Sequence, residues 1–294
     1  MIYIDARNSL SLKRGVIDFL NFSEEELEQV FVTMDSVEED PYDWTKSFLE
    51  EYGIDSSLDS IQMFHLTRRL NGTDLTTNNN LEQLLMGETP VSEFFKRYDV
   101  TFKKRDGHME MYYKGYLQPL DDEFYSGPGN MAYIKSRLGY FDAQDYCVNG
   151  FAFRSHLEMQ SYYRSLSRCP ELVDNIGRFF EIDNMVVDYS NNSRYYCIEY
   201  LIPLSEVIFD LANPPESELE KTLIFLVNAI VRLYKEWRHS SFICDDNLIL
   251  RLEDDVETKN GLLMLKNCNC KIKIEMGDIK WQIQQNALEY HIVL

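Results

Sequence analysis

The chain reads as an α+β protein with an acidic helical N-terminal region, a mixed central sheet domain, and a C-terminal long helix followed by antiparallel strands. Three observations predict this. Carboxylates crowd an amphipathic, helix-like stretch in the first sixty residues. Short β-type runs alternate with helix-like segments between residues 61 and 212. The triplet Asn213-Pro214-Pro215 breaks both ladders and helices, and a long amphipathic stretch begins beyond it. The domains are placed accordingly at 1–60, 61–212 and 213–294.

The first region carries 15 acidic and 4 basic residues, a net −11. Asn21-Phe22-Ser23-Glu24-Glu25-Glu26 sets a Ser N-cap three residues before Glu26, the spacing of a capping box, with carboxylates in the positive first turn. A second helix is predicted from Asp43 or Trp44 to Tyr52, stopped by Gly53.

In the central region, Ile61-Gln62-Met63-Phe64-His65-Leu66 suits a short strand, and the polar stretch from Asn71 to Asn80 a loop. Helices are predicted at Leu81–Met86, ended by Gly87, and at Val91–Tyr98. Asp106-Gly107 between Val100-Thr101-Phe102 and Met109-Glu110-Met111-Tyr112-Tyr113 signals a hairpin. Phe124 to Asn130, with Gly-Pro-Gly, reads as a turn or a mobile loop. Val148 to Phe153 reads as a strand with a bulge or a close backbone approach at Gly150. Helical segments follow at Leu157–Leu166 and Leu172–Phe180. The clearest strand, Arg194 to Ile202, is closed by Pro203.

From Glu216 to Arg238, Leu223, Leu226, Ile230, Leu233, Tyr234 and Trp237 recur at steps of three and four, one face of a long helix. The tail then offers strands at Leu248–Leu252, Gly261–Leu265, Lys271–Ile274 and Ile279–Ile283. The last two alternate apolar with polar residues, as half-exposed antiparallel strands do.

Composition narrows the function. With 49 acidic against 29 basic residues the chain carries −20, which repels a phosphate backbone and excludes direct general nucleic-acid binding. No apolar run reaches the roughly 18 residues of a membrane span, and Met1-Ile2-Tyr3-Ile4-Asp5 lacks the marks of a signal peptide. The expectation is a cytoplasmic protein whose six cysteines are reduced. Cys268 and Cys270 would face one way on a strand, with His239 and Cys244 nearest, but the spacing fits no zinc knuckle and no metal site is expected. Phosphate loops, G-x-G-x-x-G turns, G-x-S-x-G elbows and H-E-x-x-H pairs are missing.

Two residues have settings suited to chemistry. His65 ends a short apolar strand and is followed by Thr67 and the Arg68-Arg69 pair. Glu199 lies within a strand, where alternation puts it on the side of Tyr195, Cys197 and Leu201 and partly out of water. The ordinary alternatives are a structural hydrogen bond for the His and a salt bridge or a solvent-facing position for the Glu.

Met63-Phe64-His65-Leu66-Thr67 resembles the first-strand His signature of ADP-ribosyltransferase-like proteins, in which a short strand ends in His followed closely by Thr or Ser. The resemblance spans residues 61–210. It implies NAD as cofactor, with His65 and Thr67 at the first-strand positions and Glu199 as the catalytic carboxylate. It also implies an aromatic residue beside nicotinamide, for which Tyr133, Tyr140 and Tyr146 are available, Tyr146 being the position assigned. Arg68 and Arg69 would meet the pyrophosphate. Glu199 would stabilise positive charge developing on the ribose as the nicotinamide bond breaks. The implied function is an intracellular ADP-ribosyltransferase-like enzyme, a toxin or defence effector. The alternative is a non-enzymatic acidic interaction protein, whose residues 1–60 bind a basic protein partner or mimic nucleic acid. The two differ in one geometric requirement: the enzyme needs His65 and Glu199 to line a single cleft.

Overall fold

Residues 1–60 form three helices, each stopped and started by its own side chains. Asn8 caps α1 (Ser9–Leu20) by accepting from the Ser11 N–H, and left-handed Asn21 closes it. Ser23 and Glu26 form the expected capping box on α2 (Glu24–Ser36). The third helix, α3 (Pro41–Tyr52), begins two residues before the predicted start, because Asp40 caps it and Pro41 occupies the first turn. Gly53, at φ 79°, ends it as expected. The computed structural model describes residues 1–74, 78–120, 131–141, 146–239 and 246–254, and the backbone of 264–267.

The architecture is α+β, with all strand pairs among the described residues antiparallel. The larger sheet is built around β1 (Ser60–Leu70) and β6 (Ser193–Pro203), which pair residue for residue from Ser60 opposite Pro203 to Leu70 opposite Ser193. β5 (Asn149–Phe151) lies on the other side of β1, followed by β8 (Ile249–Arg251) and β7 (Ile208–Phe209). The backbone of β9 (Met264–Asn267) flanks β6. Gly150 sits where a Cβ would stand 2.7 Å from Met63 Cγ and 2.8 Å from Phe64 O, which accounts for glycine there. The predicted strands at 271–274 and 279–283, the Phe124–Asn130 turn, and Cys268, Cys270 and Cys244 lie outside the described residues.

A smaller sheet contains β2 (Val100–Arg105), β3 (His108–Tyr113) and β4 (Tyr116–Leu117), with the hairpin turning at Asp106-Gly107 as expected. Around it stand α4 (Leu81–Met86), α5 (Pro90–Lys96), α6 (Met131–Arg137), α8 (Glu171–Phe179) and α9 (Met185–Asn191). The segment predicted as one helix over 157–166 splits into a 3₁₀ turn (Leu157–Met159) and α7 (Ser161–Arg168).

Two apolar clusters result. The first joins Leu12, Leu27, Leu49, Met63, Ile198 and, from α10 (Glu218–Arg238), Leu226 and Ile230. It therefore draws on residues from both ends of the chain. The second gathers Phe94, Phe95, Met109, Met111, Ile176 and Tyr189 under the smaller sheet. Leu66 of β1 belongs to the first cluster and Leu70 to the second. Each Leu, Ile or Phe fully buried in this way contributes about 1.5–3 kcal/mol. Along α10, Leu226, Ile230 and Leu233 are buried as predicted. Trp237 is 47% exposed, its ring resting against Phe31 at 5.9 Å and Tyr234 at 6.1 Å.

Candidate functional site

The register of β1 against β6 decides which of the predicted site residues can meet. Directly opposed residues of an antiparallel pair share a face, and neighbours along a strand alternate. Phe64 opposes Glu199 and His65 opposes Ile198. Glu199 therefore stands on the face of Gln62, Phe64, Leu66 and Arg68, whereas His65 stands on the other, with Met63, Thr67 and Arg69. Side-chain contacts agree: Gln62 Nε2 donates to Glu199 Oε1 at 2.7 Å, and the His65 ring approaches Tyr200, whose Cα pairs with Met63. His65 and Glu199 lie back to back across one ladder and do not line one cleft.

Each face has its own electrostatics. Glu199 shares its side with Tyr195, Cys197 and Leu201, as the sequence predicts, and burial pushes its carboxyl above the usual range while the Arg7 guanidinium draws it down. Gln62, which donates to Glu199, also accepts the Ala6 N–H through Oε1 at 2.7 Å. The carboxylate thus ends a chain of hydrogen bonds that fastens residues 5–7 to the sheet. On the opposite face, His65 Nδ1 lies 2.6 Å from the Asn149 carbonyl. A carbonyl only accepts, so Nδ1 carries the proton and Nε2 presents a lone pair. Burial, and then the nearby Arg69 cation, lower His65 to about 4. It is a neutral imidazole at physiological pH.

The other assigned residues are used differently again. Thr67, half-buried, shares the His65 face and opposes Tyr196. Arg68 donates through Nε to Ser193 Oγ at 2.7 Å, through Nη1 to Ser167 O at 2.5 Å, and through Nη2 to Ser190 O at 2.7 Å. Its guanidinium is engaged in tying β1 to α7, α9 and β6. Tyr146 is buried in the second cluster, where its hydroxyl donates to Leu138 O at 2.9 Å, and burial pushes that hydroxyl up to about 12. Its ring is not a free platform for nicotinamide.

Among the described residues no group of His, Cys, Asp and Glu is arranged to hold a metal ion, and Cys147, Cys169 and Cys197 are buried thiols outside any disulfide. A surface concavity of about 710 Å³ opens between α7, α8 and α9, lined by Arg168, Asp174, Arg178, Glu181 and Val187. None of the predicted site residues lines it.

Two polar residues absent from the sequence-based site, Gln62 and Asn78, become important in the structure. Gln62 interrupts an apolar run at a position that alternation buries, a signal that its amide is engaged. Arg69 is 6% exposed and Asn78 5% exposed, and Arg69 Nη2 donates to Asn78 Oδ1. Their adjacency across nine positions had no local signal. A comparison of the chain with protein-family models, curated proteins and solved structures finds no match.

Proposed function

We propose that this chain is a non-catalytic interaction protein that presents helices α1–α3 to a basic protein partner. The observation that carries the reading is the state of the carboxylates in residues 1–60: fourteen of the fifteen are exposed, Asp5 being half-buried. The apolar sides of the same helices are already spent in the first cluster, through Leu12, Val16, Leu27, Phe31 and Leu49. What these helices offer outward is charge. The local cations do little to neutralise it. Arg7 pairs with Asp5 at 2.7 Å, Lys13 reaches Glu24 at 3.0 Å, and Lys46 stands 3.9 Å from Glu50. Among the described residues, Asp18, Glu25, Glu38, Glu39, Asp43 and Glu51 have no cation within ion-pair distance. A surface of one sign accelerates encounter with an oppositely charged partner and fixes its orientation.

The test is a triple variant, Glu25→Lys with Glu38→Lys and Glu39→Lys, compared with the native chain against a Lys- and Arg-rich protein partner over a salt series. At least a tenfold loss of affinity and a shallower salt dependence are expected. Unchanged affinity and slope would leave these carboxylates as a solvated surface. Calorimetric titration with NAD separates this reading from the transferase. NAD binding lost in His65→Ala, together with ribosyl transfer lost in Glu199→Gln, would restore the enzyme.

A further inference from the structure

Arg69 is the least expected residue of the structure: a cation 94% removed from water in a chain of net charge −20, yet without a carboxylate. No ion pair involves it among the described residues, and burial draws its guanidinium below the ordinary arginine range. Burying a guanidinium without a counter-charge is costly, and proteins ordinarily supply an anion or a full set of acceptors. Arg69 has neither. Its Nη2 donates to Asn78 Oδ1, while its Nε has no partner. The Asn78 Nδ2 group, buried beside it, has no partner either, nor has Thr73 Oγ1 on the turn that closes three residues beyond Leu70 with Thr73 N donating to Leu70 O at 3.1 Å. The acceptor capacity of the pair is engaged within the pair itself, and what remains unfilled is donor capacity around a positive charge.

We propose that Arg69 and Asn78 form a binding site for a small tetrahedral oxyanion of the phosphate class. Such an ion has acceptors in excess and no need of an acceptor from the protein. It matches a guanidinium edge and an amide donor at charge-assisted hydrogen-bond distance, and it supplies the missing negative charge. His65, on the same face, adds no charge to the site and presents only its Nε2 lone pair, so the selectivity rests on Arg69. This site is independent of the acidic helices, and neither reading depends on the other.

Titration of the full chain with inorganic phosphate, against chloride at matched ionic strength, tests the assignment by calorimetry and by melting midpoint. The native chain should bind one phosphate saturably, and its midpoint should rise with phosphate beyond the chloride control. Arg69→Gln should abolish the binding and make the midpoint indifferent to phosphate. Asn78→Ala keeps the charge and removes the amide donors, and should weaken binding about tenfold; it serves also if Arg69→Gln does not fold. Lack of saturable heat in the native chain would overturn the site. So would phosphate affinity unchanged in Asn78→Ala, or an equal rise in midpoint for the native chain and Arg69→Gln.

Discussion

His65 donates through Nδ1 to Asn149 O and is held neutral, with its folded pKa lowered from the ordinary 6.5 to about 4. Below about pH 6.5 the unfolded chain binds a proton that the folded one refuses. Stability supplied by this group is therefore complete above that pH and is lost as pH falls toward 4. His65→Gln, whose amide can still donate to Asn149, should flatten the acid limb of stability between about pH 6.5 and 4. A limb of unchanged slope would show that another group carries the titration. Glu199 has the opposite sign. Its folded pKa is raised by burial, so it favours the fold at low pH and detracts once ionised. Glu199→Gln should leave the melting midpoint equal or higher at pH 7, with the difference from the native chain shrinking below the ordinary carboxylate pKa near ~4.3. A clear loss of stability at pH 7 would mean that the ionised form holds residues 5–7 in place. Period-two alternation correctly gave the companions of Glu199, because side-chain facing within one strand is a local property. It could not give the offset between two strands 134 positions apart, and one residue of register decides whether His65 and Glu199 meet or turn away.

At the scale of elements, legibility follows the same physics. Ser23 and Glu26, Gly53 and the Asp106-Gly107 turn act within a few residues, and each stands where its chemistry predicts. β1 extends past the predicted apolar run to Leu70, where Arg68 finds partners far away in sequence that no window of ten residues contains. The helix α9 escaped notice because, unlike the comparably short α4, it has neither a capping box at its start nor a glycine at its end. The periodic face of α10 yields the sharpest expectation. Ile230→Ala should destabilise by about 2–5 kcal/mol, as a methyl-lined cavity opens in the first cluster. Trp237→Ala should cost clearly less, since nearly half of that ring already meets water. Denaturant midpoints with an unchanged slope would report both, and equal losses would show that Trp237 is a core residue.

For the molecule as a whole, charge and connectivity matter more than any single contact. A net −20, of which residues 1–60 carry −11, repels itself in the folded state more than in the expanded one. Raising sodium chloride from about 10 mM to about 150 mM shortens the screening length from roughly 30 Å to 8 Å, and the melting midpoint should rise over that range. A midpoint that falls instead would show attractive pairs outweighing repulsion. Connectivity has a further consequence through β1. At about 3.4 Å per residue its eleven residues form a strut of roughly 37 Å that enters both apolar clusters. Near its far end Arg68 is clamped to α7, α9 and β6, and Tyr189 holds the Arg68 carbonyl. Neither cluster can melt while the other keeps that strand in place, so the two should behave as one cooperative unit. The central amides of β1 should be the last in the molecule to exchange with deuterium, and at one common rate. Two separate rates for its halves would reveal a hinge in the strut. With a single rate, an event felt at either end of β1 would be transmitted along its whole length.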